Sequence, residues 1–163
     1  MAGGVRAGRT ATGGTQVRAS LEASIGFQMG RAHRTLRSAW ERRIADLGVS
    51  APQAAMLRVV CDGPEAGLRE LGRRVRTDTM NARRLVDHLV QLQLVDVAAG
   101  TGQGRRRVLH PTARGVAMAD EIARRADALE SEVSAMLGDG GLTQLRSLLG
   151  RLQLALDEAA DRP

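Results

Sequence analysis

Lysine and tyrosine are absent from this chain, and cysteine, tryptophan and phenylalanine occur once each. A single cysteine, Cys61, excludes an intramolecular disulfide framework and fits a reducing cytoplasm. No apolar run reaches the roughly 18 residues of a membrane span. The opening "MAGGVRAGRTATGGTQVRAS" lacks the apolar centre of a secretion signal, so residues 1–19 read as a basic tail. These absences point to a cytoplasmic protein with no membrane partner. His33, His88 and His110 fall on three different elements without ligand spacing, which argues against a metal site. No glycine-rich phosphate loop and no Ser/His/Asp arrangement is present. We therefore expect no cofactor, no catalytic residue and no enzyme activity.

What is abundant is arginine. All 24 basic residues are Arg, and the richness in Gly and Ala points to a GC-rich bacterial genome. The net charge is +6, but its distribution says more than its sum. Residues 67–114 hold 10 Arg against 4 acids, while residues 115–163 hold 5 Arg against 9 acids. A surface serving solubility alone mixes both signs. A central basic block instead indicates an anionic partner, and nucleic acid is the commonest polyanion a bacterial protein meets.

Apolar periodicity predicts a mainly α fold of one domain over 20–163, with a small two- or three-stranded β wing. Leu21, Ile25, Met29, Ala32, Leu36, Trp40 and Ile44 recur at helical steps and predict one long helix from about Ser20 to Leu47. Ser50 and Gln53 have capping-box spacing, and Pro52 suits a first turn, so a second helix starts there and ends before Gly63-Pro64. Leu68, Leu71 and Val75 mark a third helix. A short turn follows, and Asp78 caps a fourth helix with Ala82, Leu85, Val86 and Leu89 inward. This is helix-turn-helix spacing. Leu94, Val95 and Val97 predict a first strand, Ala98–Gly104 a tip, and Arg105–His110 a return strand that Pro111 ends for want of a donor.

Thr112 then starts a long helix striped by Met118, Ile122, Ala126, Leu129, Val133 and Met136, with Asp120–Arg124 and Glu121–Arg125 spaced as ion pairs on its wet side. "GDGG" breaks it, and a last helix runs from about Thr143 to Ala160. That helix carries more leucine than one narrow stripe needs. Leu145, Leu149, Leu152 and Leu156, with Leu21 and Ile25 of the first helix, are the expected homodimer contacts. The winged helix-turn-helix then spans about 50–112, and the dimerisation helices about 20–47 and 113–161.

With the inner face of the fourth helix set, Met80, Arg83, Arg84, Asp87 and Gln91 fall on the opposite side, flanked by Thr79 and Asn81. Such a face suits a major groove, where Arg reads guanine, Asn reads adenine and Met touches a thymine methyl. Asp87 opposes phosphate and is expected to point away or pair with an arginine. In the wing, alternation puts Arg105 and Arg107 on one face and Arg106 on the other. Arginine in a narrow minor groove gains from the concentrated negative potential there. The expected DNA-binding set is Thr79, Met80, Asn81, Arg83, Arg84, Arg105, Arg106 and Arg107.

The run "LRELGRRVRTDTMNARRLVDHLVQLQLV", the basic hairpin and "LHPTARG" together resemble the MarR family of bacterial regulators. The likeness covers roughly Leu21 to Glu158 and rests on Glu70, Leu71, Arg84, Leu85, Val86, Asp87, Leu89, Thr112 and Gly115. It implies a winged-helix homodimer on a pseudo-palindromic operator, usually released by a small ligand or oxidant, with Arg105 at the wing arginine. Three residues depart from the pattern. Gln103 replaces an acid, Gln93 a glycine before the wing, and Pro111 a leucine. The family's peroxide-sensing branch carries cysteine early in the first helix, where this chain has none. Cys61 reads as a structural thiol. Trp40 fits the core and is also the candidate lining residue for an effector pocket, which the resemblance implies would take a small acidic or phenolic molecule. The reading is a transcriptional regulator, most often a repressor. The alternative is a winged-helix module that binds protein without specific DNA binding.

Overall fold

The computed structural model describes residues 20–63, 66–99 and 107–160. In chain order it contains α1 (Ile25–Ile44), α2 (Ala51–Asp62), α3 (Leu68–Arg74), α4 (Thr79–Gln91), β1 (Val95–Ala99), β2 (Arg107–Pro111), α5 (Ala113–Leu137) and α6 (Gly141–Ala160). The chain divides into two compact units within α1, between Leu36 and Arg37.

In the first unit the expected single helix is interrupted. Leu21–Ala23 form one 3-10 turn, and Ser24 is extended at φ −64°, ψ 127°. The Gln28 N–H then bonds the Ser24 carbonyl to begin α1, while the Gln28 amide reaches the Glu22 carbonyl at 3.0 Å. The apolar stripe is real but uncovered, with Leu21 64% and Ile25 70% exposed.

The second unit holds the core. Ala54, Met56, Leu57 and Val60 of α2 pack with Leu71 of α3, Ala82, Val86 and Leu89 of α4, Leu109 of β2 and Ile122 of α5. α2 starts as its sequence dictates: Ser50 and Gln53 form the complete capping box, with Pro52 in the first turn. At Gly72 a Cβ would lie 3.0 Å from the Thr77 carbonyl oxygen and 3.3 Å from the Ala82 Cβ, so its absence lets α3 and α4 cross closely.

The end of α4 explains the unusual Gln93. Its N–H bonds the Val90 carbonyl, and the Leu94 N–H bonds the Leu89 carbonyl, each at 2.9 Å. These are the two bonds of a Schellman cap, completed by burial of Leu89 and Leu94 together. The cap forces Gln93 to φ +58°, a left-handed conformation that favours glycine. Gln93→Gly should therefore raise stability by roughly 0.5–1 kcal/mol, after the entropy glycine loses on folding is deducted. Urea unfolding measures this, and a destabilised variant would refute the strain.

β1 and β2 form one antiparallel pair, with Val95 opposite Pro111 and Ala99 opposite Arg107. Pro111 is the last residue of β2, one beyond the expected end at His110, but not for want of a donor. The next bond runs from the Thr112 N–H to the Leu94 carbonyl at 3.1 Å, which makes Val95–Pro111 a pair that requires no donor. Thr112 also caps α5, its hydroxyl accepting from the Gly115 N–H at 2.9 Å and donating to the Gln93 carbonyl at 2.8 Å. One residue thus fixes the base of the hairpin to the end of α4 and the start of α5.

The ion pairs on α5 also differ from the expected ones. Arg124 pairs with Glu121, not Asp120. Arg125 pairs with Glu121 as expected, but both side chains are three-quarters buried. Arg125 also grips the Asp46 carboxylate and the Arg43 carbonyl at the end of α1. Its hydrogen bond to Asp46 is the main reason that carboxyl lies below its ordinary value. α6 starts two residues earlier than expected, at Gly141, and none of its residues is buried.

Candidate nucleic-acid interface

α4 has two unlike faces. Ala82 and Leu89 are fully buried and Val86 nearly so, which anchors the helix and fixes its rotation. Thr79, Met80, Asn81, Arg83 and Arg84 are all exposed, Met80 to 78%. The five expected α4 residues are thus all accessible.

Asp78 organises its leading end. One carboxylate oxygen accepts the Asn81 N–H at 2.9 Å and the other accepts the Asn81 side-chain amide at 2.6 Å. That Asn81 N–H is the largest of the influences holding the Asp78 carboxyl below its ordinary value. The Asn81 side-chain oxygen in turn accepts from Arg84 at 3.4 Å. On the other side of the helix Arg83 lies 3.9 Å from Asp87, the pairing expected for that acid.

The two sides border different grooves. One of about 290 Å³ is lined by Pro52, Thr77, Asn81, Arg84, Leu85 and His88. The other, of about 590 Å³, has Leu68, Arg69, Arg83, Asp87, Val97 and Leu109 among its walls, so the hairpin and α4 share it. His88 is tied back to α2. The Gln53 side-chain oxygen Oε1 is taken by the Ser50 N–H at 2.7 Å, which turns the side-chain nitrogen Nε2 towards His88 Nδ1 at 2.9 Å. The neutral ring therefore carries its proton on Nε2.

Arg105, Arg106 and Gln103 lie outside the described residues. Arg107 opens β2 opposite Ala99, and its side chain is likewise outside them. The sequence placed the outward residues of α4 but missed the Asp78–Asn81–Arg84 chain. Its signal is present as two successive three-residue steps beginning at an N-cap aspartate.

The remaining candidates are simpler. Trp40 is half-buried and packs against the core. Cys61 is also half-buried, and burial, with Asp62 and Asp120 nearby, raises its thiol pKa and disfavours the reactive thiolate. Among the described residues no group of three or more His, Cys, Asp or Glu is placed to hold a metal ion. No single described helix is long and apolar enough to cross a membrane. Leu145, Leu149, Leu152 and Leu156 are 39%, 40%, 37% and 59% exposed along α6.

No protein-family model matches this sequence, and no curated protein matches it either. Solved structures do. BpsR of Bordetella bronchiseptica, whose DNA binding is regulated by 6-hydroxynicotinic acid, is similar with a TM-score of 0.76 at 18% identity, over 83% of this chain and 97% of that one. A MarR family protein of Mycobacterium tuberculosis in complex with salicylic acid gives 0.64 at 24% identity, over 80% and 96%. MepR of S. aureus, solved in complex with DNA, gives 0.74 at 12% identity, over 84% and 99%. The chain therefore has the winged helix-turn-helix fold of MarR-type regulators.

Proposed function

We propose that this protein is a sequence-specific, double-stranded-DNA-binding transcriptional regulator of the MarR type, acting in the cytoplasm on the nucleoid. The observation that carries the reading is the outward face of α4. Thr79, Met80, Asn81, Arg83 and Arg84 stand exposed on a helix whose other face is locked into the core, beside a hairpin whose chain contains Arg105, Arg106 and Arg107. A helix so held can enter a major groove without changing its own packing. The DNA complex of MepR supports this mode of use for the fold.

The regulator acts as a homodimer, usually as a repressor, on two half-sites about one helical turn apart. The support is α6, which buries no residue within the chain while offering Leu145, Leu149, Leu152 and Leu156 along its length. Leu21 and Ile25 belong to the same proposal. Leu152→Glu places a charge on that stripe and should yield a monomer in sedimentation with the winged core still folded. A dimer that survives the change would assign α6 another role.

A small acidic or phenolic effector modulates binding, in keeping with the aromatic acids named for two similar structures. Trp40 remains a candidate for its pocket. The primary test is competition binding on the DNA upstream of the protein's own gene. Arg84→Ala and Arg105→Ala should each weaken specific binding by about 1–3 kcal/mol, roughly 5- to 150-fold, with unfolding curves unchanged. Wild-type binding no stronger than to an unrelated duplex would end the reading.

A further inference from the structure

We propose that Asp78 and Asn81 set the specificity of α4 by holding Arg84 in a fixed attitude, so that Arg84 reads a guanine and Asn81 is a positioning residue that reads no base. The inference rests on the DNA-binding reading above and assigns which side chain does the reading.

The geometry comes from the chemistry of the Asp78 carboxylate, which only accepts hydrogen bonds. The atom of Asn81 that faces it at 2.6 Å is therefore the amide nitrogen, and the amide oxygen must point the other way. That oxygen meets the Arg84 guanidinium at 3.4 Å. Reading adenine takes both ends of an asparagine amide together, a donor and an acceptor in one plane. Both ends of Asn81 are already engaged, each by a bond to a charged group. Using Asn81 on a base would break the chain and release Arg84 at the same moment.

Arg84 gains what Asn81 gives up. A free arginine loses several rotatable bonds on binding, whereas one already oriented loses fewer. Its guanidinium keeps further N–H groups for the two acceptors on a guanine edge. Arg83 is placed differently, 3.9 Å from Asp87 and beside the groove shared with the hairpin. That pairing leaves Arg83 without the Asn81 contact that orients Arg84.

Asp78→Ser separates the two duties of Asp78. A serine hydroxyl still accepts the Asn81 N–H and caps α4, but it offers no second oxygen to the Asn81 amide. Full-length wild type, Asp78→Ser, Asn81→Ala, Arg84→Ala and the Asn81→Ala/Arg84→Ala pair are each used to select duplexes from a randomised library. Wild type should fix a guanine in each half-site. Asp78→Ser and Asn81→Ala should each relax that preference about tenfold, with the thermal midpoint of Asp78→Ser held to within about 2 °C. The double variant should be no worse than Arg84→Ala alone, since Asn81 acts through Arg84. Additive losses, or an Asn81→Ala variant that keeps its guanine and loses an adenine, would overturn the inference and leave DNA binding intact. A wild type that selects no common sequence overturns both.

Discussion

Raising monovalent salt from about 50 to 200 mM should weaken DNA binding by about a thousandfold or more. The expectation comes from where the charge is. The 24 arginines and 18 acids give +6 overall, and residues 67–114 alone carry 10 Arg against 4 acids. Two copies of that region facing one duplex bring enough guanidinium groups to neutralise about six phosphates or more, and each neutralised phosphate releases condensed counterions. Not every arginine contributes. Arg73 is held by Glu70 at 2.7 Å and Arg74 by Asp62 at 3.5 Å. Arg84 is assigned to a base edge rather than to phosphate. Fluorescence anisotropy across a chloride series gives the slope of log affinity on log salt. A slope shallower than about −2 would mean that the basic block does not face the duplex.

Gly115→Ala should unfold much of the winged core, with a loss of about 3 kcal/mol or more. A Cβ at this position would collide with the Leu94 carbonyl oxygen and lie 2.9 Å from the carbonyl carbon. The obstacle is backbone, so no side-chain rotation relieves it. Leu94 has little freedom to retreat, being 1% exposed and already accepting the Thr112 N–H. Moving the start of α5 away instead would strain the two hydrogen bonds by which Thr112 holds the Leu94 and Gln93 carbonyls. A melting midpoint lowered by roughly 10 °C is the expected size for a domain of this length. A midpoint within about 2 °C of wild type would show that the junction yields more easily than its geometry implies.

Most of the site could be read from residues alone because its determinants are local. The outward set on α4 follows from the helical repeat of Ala82, Val86 and Leu89, and the start of α2 from the Ser50 and Gln53 pair. What escaped were features set by neighbours distant in sequence or by detail finer than a pattern. The break at Ser24 is invisible because 3-10 and α turns place apolar residues at nearly the same spacing. The place of Pro111 depends on which strand pairs exchange bonds, and composition does not carry that information. Gln93 would not be expected at a positive φ, yet burying Leu89 and Leu94 together outweighs its local preference. Arg124 pairs with Glu121 rather than Asp120 because a helix offers partners at both three and four residues, and spacing alone does not choose between them.

The bare leucines of α6 have a kinetic meaning as well as a structural one. A 20-residue helix with no fully buried residue, held to the rest of its chain by partly covered leucines and the Arg146–Glu130 ion pair, is only weakly anchored there. In the homodimer proposed above a second chain would cover it, and its persistence would then depend on concentration in a way that the winged core does not. Newly made, unpaired molecules would then expose an unravelling C-terminal segment to proteases, while paired ones would be spared. The abundance of such a regulator would hold itself above the level at which pairs form, with no need for a separate signal to clear the surplus single chains.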